Sequence, residues 1–300
     1  MGLSKSSMCS QWIATAARVR HGATLTASQG ACERGPVIWF RGDPHHDLGD
    51  AIEGYYRNVL GEYLASRSDS ALMDAVDAFA EPIEQAFREP APGGEPSVET
   101  LLWDAWYYVI TTAINPDDSV CVKLIDLVLA LQRRGRLTRE SDGRECLVWG
   151  GRVWDELPLF GPQTREAWND VFTDYPASYL NSVSFAARLT AASSGENAAI
   201  DFSAYATWDF RDALELTREE REERGRFHGP DELLIGIVRW LSICGPVLAS
   251  LAAEHAADDG ADFSVPRWTR WRERLAALAA GPEPTAAAAR IALTLMPTLA

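Results

Sequence analysis

LVWGGRVWDELPLFGPQTREAWN, running from Leu147 to Asn169, is the stretch that decides the fold. It lies between helical patterns and carries Trp149, Trp154, Leu157, Leu159, Phe160 and Trp168, together with a Gly-Gly pair and two prolines. A connection between helices needs only a few polar residues. One loaded with this much apolar surface has to fold back and bury it, since exposed apolar area costs about 25 cal/mol per Å². The segment is therefore expected to be the centre on which the helices before and after it pack.

Working outward, the chain reads as helices on both sides. Upstream, Leu48, Ile52, Tyr56, Val59 and Tyr63 recur at steps of three and four, the spacing of one helix face. A second helix, capped by Asp69 or Ser70, carries Leu72, Val76, Phe79, Ile83 and Phe87, with Pro82 expected to kink or divide it. Ser97 is a good N-cap for a third helix through Ala113, ended by Asn115-Pro116. Asp117 or Asp118 caps a fourth, with Val122, Ile125 and Leu129 on its apolar face and Arg133-Arg134-Gly135 at its end. Downstream come a short helix from Thr164 to about Phe172, then another with Leu180, Val183 and Ala187 on one face. One long helix is expected from Phe202 to about Arg224, then an apolar helix from Pro230 to Glu254, and Ala-rich helices over Val265–Ala279 and Thr285–Leu295. No run of alternating β-branched residues interrupts this pattern. The fold class is all-α, a single domain of about ten helices over residues 47–300 with a Trp-rich central connection. Residues 1–46 show no sustained period and read as a disordered or leader-like arm.

Composition narrows the partners. A formal net charge of -15 repels phosphate backbones, and no basic stripe offsets it, so no nucleic-acid partner is expected. The five cysteines are scattered and form no Cys-x-x-Cys pair, which points away from a zinc site or a disulfide framework. A reducing, cytoplasmic setting fits; the Ser- and Arg-containing arm leaves a mitochondrial leader as the alternative. Leu233 to Ala253 is apolar enough to be mistaken for a membrane span, but Arg239 inside it would cost about 3 kcal/mol at mid-bilayer. A buried core helix is the better reading.

The chemistry-bearing candidates are few. Asp155, Glu156 and Glu166 lie among tryptophans near Arg152 and Arg165, so partial desolvation would let them act as acid or base. The same set also reads as a salt-bridged corner that orients the connection. The third helix bears Trp103, Trp106, Tyr107 and Tyr108, and an aromatic-lined pocket would combine Trp103 and Trp106 with Trp149, Trp154, Arg165, Trp168 and Asn169. His45-His46-Asp47 reads as a polar turn. Asp258-Asp259-Gly260-Ala261-Asp262 has the spelling of a diphosphate–magnesium motif but lies in a Gly-containing stretch after a helix. No metal and no cofactor is expected.

LLWDAWYYVITTAINPDD at Leu101–Asp118, QRRG at Gln132–Gly135, VWGGRVWDELPLFGPQTREAWN at Val148–Asn169 and NSVSFAARLTA at Asn181–Ala191 resemble the fungal DUF3632 family of helical proteins, over roughly residues 50 to 280. These blocks are Trp-rich and fixed in order but hold no catalytic signature, and the family offers no catalytic residues to carry over. Its members are typical of filamentous fungi and some occur in natural-product gene clusters. The resemblance therefore implies an accessory or binding protein of secondary metabolism, with a small hydrophobic metabolite or a partner protein as ligand. A biosynthetic cyclase or acid–base enzyme using the Trp-lined pocket is the alternative reading, and a structural protein–protein interaction module a further one.

Overall fold

The computed structural model describes residues 46–90, 96–114, 118–173, 178–193, 197–224, 228–255 and 260–299. The expected arm, the His45-His46-Asp47 turn, the Asn115–Asp117 connection, Pro176 (expected in the first turn of the helix that carries Leu180, Val183 and Ala187) and the Asp258-Asp259 pair lie outside the described residues, apart from the backbone of His46 and Asp47 in the first helix. Among the described residues there are eleven helices and one short hairpin. The helices are α1 (His46–Ala65), α2 (Ala71–Arg88), α3 (Val98–Ile114), α4 (Asp118–Gln132), α5 (Phe160–Thr173), α6 (Tyr179–Ser193), α7 (Ser203–Leu214), α8 (Arg218–Glu223), α9 (Pro230–Glu254), α10 (Val265–Ala279) and α11 (Thr285–Leu295). The hairpin pairs β1 (Leu147–Val148) with β2 (Gly151–Arg152), antiparallel. The all-α, single-domain expectation holds.

The first four helices pack on one another, and α7, α9, α10 and α11 form a second group. The helix that joins the groups is α6, which touches α3, α4, α5, α7 and α9. The sequence predicts one apolar face for it, on Leu180, Val183 and Ala187. Instead it is buried nearly all round, through Tyr179, Ser182, Val183, Ser184, Phe185, Ala186, Ala187, Leu189, Thr190 and Ser193. Small side chains let neighbouring helices approach, and the hydroxyls are satisfied locally. Ser182 donates to the Ser178 carbonyl, Ser184 to Leu180, Thr190 to Ala186 and Ser193 to Thr190. Such back-bonding lets polar residues sit in a core helix without orphaned groups.

Helix α9 is long and apolar enough to cross a bilayer, but it packs against α6, α7 and α11 inside the domain. Its Arg239 donates to the Leu180 carbonyl at 2.9 Å and to Ser184 Oγ at 2.6 Å, which accounts for a cation in so apolar a helix. The helix bends at Cys244 (φ -128°, ψ 17°), two residues before Pro246, whose ring and missing N–H disturb the preceding turn.

Other expectations need correction. The long helix over 202–224 is two, because Thr217 opens α8 with a capping box: its hydroxyl accepts from Glu220 N while the Glu220 carboxylate accepts from Thr217 N. Helix α2 runs through Pro82 unbroken, and Ser70 donates to the Asp74 carboxylate rather than capping. Of the residues expected on the apolar face of α4, Ile125 is buried and Leu129 packs against the core, but Val122 is exposed and the buried face is completed by Cys121, Leu124, Leu127, Val128 and Leu131. The short fifth helix starts earlier than expected, at Phe160.

Close approach of α6 and α9 depends on Gly236. A Cβ there would fall against the Tyr179 hydroxyl, far inside contact distance. The Tyr179 ring cannot easily give way, since it stacks on His228 at 4.3 Å and its hydroxyl bonds the buried Asp209 carboxylate. Burial, reinforced by Asp209, keeps this phenol far above the ordinary tyrosine range, so it remains a neutral donor. Gly236→Ala, although a better helix former, is expected to lower the free energy of urea unfolding by about 1–3 kcal/mol. The cost should shrink in a Tyr179→Phe background, where the colliding oxygen is gone. An Ala variant more stable than the parent would contradict this packing.

Candidate functional site

The central connection buries Trp154, Leu157, Leu159, Phe160 and Trp168 as the sequence requires, but Trp149, expected inside with them, stays half-exposed at a hairpin tip that points away from the core. It leaves α4 through Gly135 (φ +73°), pairs Thr138 with Glu145 in an isolated bridge, and turns at Trp149-Gly150 between β1 and β2. Both turn residues have positive φ, 51° and 82°, the twist a two-residue hairpin needs. Glycine takes this conformation freely. A tryptophan does not, and Leu157 (44°) and Leu159 (69°) carry the same strain a few residues on. Strain of about 1–3 kcal/mol per residue persists only where the surroundings over-determine the backbone.

Those surroundings are the ring contacts and their polar anchors. Trp154 is buried, and its indole N–H donates to Glu84 Oε1 of α2 at 3.2 Å. Glu84 is itself buried and also receives Arg134 Nε at 2.9 Å and Arg88 Nη2 at 2.6 Å, while Arg134 reaches Asp77 at 2.6 Å. One carboxylate thus ties α2, the end of α4 and the connection. Trp106 of α3 donates to the Pro158 carbonyl at 3.2 Å and packs its ring on Phe79 and Phe160. Gln132 donates to the Asp155 carbonyl at 3.0 Å and exchanges amide bonds with Asn197, at 3.1 and 2.7 Å. Trp168 is buried edge-on against Tyr205, 4.8 Å between centroids.

The candidate residues therefore separate. Trp106, Trp154 and Trp168 are core: Trp106 and Trp168 pack on other rings, and Trp154 is held by its bond to Glu84. Trp103 and Trp149 meet edge to face at the surface, centroids 5.9 Å apart, with the half-exposed Trp149 donating to Glu99 at 3.0 Å. The Arg165 guanidinium lies over the Trp208 ring at 4.0 Å. Glu166 and Asn169 are partly exposed on α5. Asp155 and Glu156 come together at an open cleft of about 650 Å³, whose other walls are Ala192, Ser193, Asn197, Ala198 and Ala199 at the end of α6.

Both cleft carboxylates have arginine partners. Asp155 is 3.3 Å from Arg152 Nε and 4.0 Å from Arg136 Nε; Glu156 accepts from the Arg152 backbone N–H at 2.8 Å and lies 3.6 Å from its guanidinium. The site so made is a half-apolar, half-polar recess with ion-paired carboxylates on one rim and alanines on the other. It can hold a small amphipathic molecule or a short side-chain cluster by contact. Burial pushes the thiols of Cys146 and Cys244 up to about 11 and about 12, so neither supplies a thiolate nucleophile near neutral pH. Among the described residues no group of three or more metal-ligating side chains converges.

Sequence reading missed Glu84, Gln132, Asn197 and Asp209. Glu84 had a signal, since it falls at helical spacing from Ala80 and Phe87 on the apolar side of α2. The alanines of the cleft wall had none, because their role comes only from where α6 ends.

Residues 106–275 match the family model described as a protein of unknown function, DUF3632. No curated protein and no solved structure matches the chain.

Trp154→Ala is expected to cost about 3–5 kcal/mol in urea unfolding, the usual range for a buried tryptophan. Trp154→Phe keeps most of the ring, removes the N–H and is expected to cost about 1.5–3 kcal/mol, the worth of a bond to a charged acceptor. A midpoint unchanged in either variant would show that Glu84 does not hold the connection.

Proposed function

The chain belongs to the DUF3632 family, and with that membership as premise we propose that it works by binding, as an accessory protein in a biosynthetic pathway of the kind the family resemblance implies. One observation carries the proposal. The connection that concentrates the chain's tryptophans and charges uses them for its own anchoring, and what it leaves at the surface is an open recess rather than a closed chamber. Catalysis by a carboxylate gains from a water-excluded pocket that tunes its protonation. Asp155 and Glu156 sit instead at an open rim, each beside an arginine. The alanine wall suits the apolar part of a small metabolite, and the side-chain oxygens on the opposite rim suit its polar part through hydrogen bonds that an amide oxygen can also accept. A cytoplasmic setting agrees with the buried, free thiols of Cys121, Cys146 and Cys244.

The test is complementation of a strain lacking the gene, read by untargeted mass spectrometry of its metabolites. Deletion is expected to remove one product family. Asp155→Asn and Glu156→Gln, which keep the shape of the recess, should restore it, whereas Ala198→Trp, which fills the recess from an exposed position, should not. Loss of product with Glu156→Gln in a normally folded protein would favour an acid–base enzyme and contradict the binding reading. Full restoration by Ala198→Trp would remove the recess from the function.

A further inference from the structure

Helix α3 turns one face to the core, through Leu102, Ala105, Trp106, Val109 and Ala113. Its opposite face is unusual for a solvent-facing surface. Trp103, Asp104, Tyr107, Tyr108 and Thr111 recur there at helical spacing, half-buried, with Trp103 and Tyr108 packed along the edge of the core, Asp104 and Tyr108 bordering α1, and Glu99 exposed at the start of the same helix. An ordinary outward face carries charged, flexible side chains. This one presents large rings with carboxylates between them, from the LLWDAWYY block that the core uses only in part.

Flanking elements add to both features. On one side the hairpin tip sets the half-exposed Trp149 against Trp103 and bonds it to Glu99. Its backbone stands in the left-handed region, so the ring is held up at the cost of strain. On the other side α1 brings Glu53, whose carboxylate accepts from the Tyr108 hydroxyl and pairs with Arg57. Glu99 and Asp104 stand five residues apart on α3, roughly 7.5 Å along its axis, and Glu53 of α1 adds a third carboxylate beside Asp104 and Tyr108. Rings that offer π-faces beside carboxylates are the complement of guanidinium groups, which stack on the one and pair with the other.

We propose that this outward face of α3 binds an arginine-bearing segment of a partner protein. Charge complementarity selects that occupant. Separated carboxylates along a helix call for several positive charges on one extended ligand rather than a single small ammonium ion, and the net charge of -15 steers such a segment toward the surface. None of these residues lines the Asp155–Glu156 recess, so the inference stands apart from the binding function proposed for it.

Asp104 gives the interaction a pH signature. Burial first, and the neighbouring Glu53 second, push its carboxyl up to about 6. The groups facing it are Glu53 and Tyr56 of α1, with Arg57 paired to Glu53, and Tyr108 of its own helix; α2, α4, α5 and α6 also pack against α3. Above that value Asp104 is charged and attracts a guanidinium; as pH falls through it, the carboxyl takes a proton and the attraction weakens.

The experiment is fluorescence anisotropy of the full-length protein with a short labelled peptide of alternating arginine and glycine, at about pH 7.5 and about pH 5.5. Saturable binding is expected at the higher pH. Glu99→Gln and Asp104→Asn should each weaken it roughly three- to five-fold, while Glu223→Gln, the same charge change on exposed α8, should leave it unchanged. The wild-type affinity should fall toward the lower pH more than that of Asp104→Asn. Equal weakening by Glu223→Gln would reduce the effect to net charge and overturn the proposal, as would failure of the peptide to bind. Tetramethylammonium displacing the peptide at comparable concentration would make the face a small-ion site and overturn it as well. Glu99 is exposed, so its variant keeps the test decisive should Asp104→Asn fold poorly.

Discussion

A buried tryptophan hides a large ring and brings one N–H that has to be met inside the protein. Here that requirement organises the molecule. Trp154 donates to Glu84, Trp240 to Asp209 and Trp271 to Glu215, while Trp106 and Trp268 donate to main-chain carbonyls at Pro158 and Pro297. Each carboxylate lies on a different segment from its indole, so the bond that satisfies the ring also fixes two segments to each other. Part of the chain's acidity is accounted for in this way. Glu215 shows the balance: burial opposes its charge, but the bonds from Arg267 and Trp271 outweigh that and hold its carboxyl below the usual range. Its contribution to stability is therefore present at neutral pH and fades as pH falls through that lowered value.

Between these anchors, α6 supplies the second constraint. A helix wrapped by five others has no room for long side chains, and its serines, alanines and threonine are the answer. The hydroxyls turn back to their own helix, and the one large polar ring, Tyr179, is accommodated by the missing side chain at Gly236. Anchors and close packing together explain why the strained residues of the connection stay where they are. Strain at Leu157 and Leu159 would relax if the rings on either side let go.

Much of this was legible in the sequence, for identifiable reasons. The helix over Val98–Ile114 was readable from its Ser97 cap and the Asn115-Pro116 stop, and those over Val265–Ala279 and Thr285–Leu295 from their Ala-rich helix-forming composition. The central connection was readable because its tryptophans could not remain in water. Helix α6 was placed and its Val183 and Ala187 are buried, but its burial on every side was not legible because periodicity shows only one face, and the break before α8 was missed because Thr217 and Glu220 look like part of a continuous charge run. The candidate site was less legible. Asp155 and Glu156 stood out in the sequence and their pairs with Arg152 are local, but the recess beside them arises from where the distant end of α6 comes to rest. Sequence gives no period or motif for such a meeting.

A connection held this way behaves as a keystone and not as a lid. Loops that open for catalysis belong to the least stable parts of a protein, whereas an anchored core segment opens only when the whole domain does. The most direct measurement is native-state hydrogen exchange at the amides of Cys146, Val153 and Phe160, which donate to the carbonyls of Leu137, Cys146 and Leu157. Their opening free energies are expected to equal the global unfolding free energy and to fall with it as denaturant is added. Exchange through a local opening far below the global value, insensitive to denaturant, would contradict the keystone and point to a mobile loop over a working site.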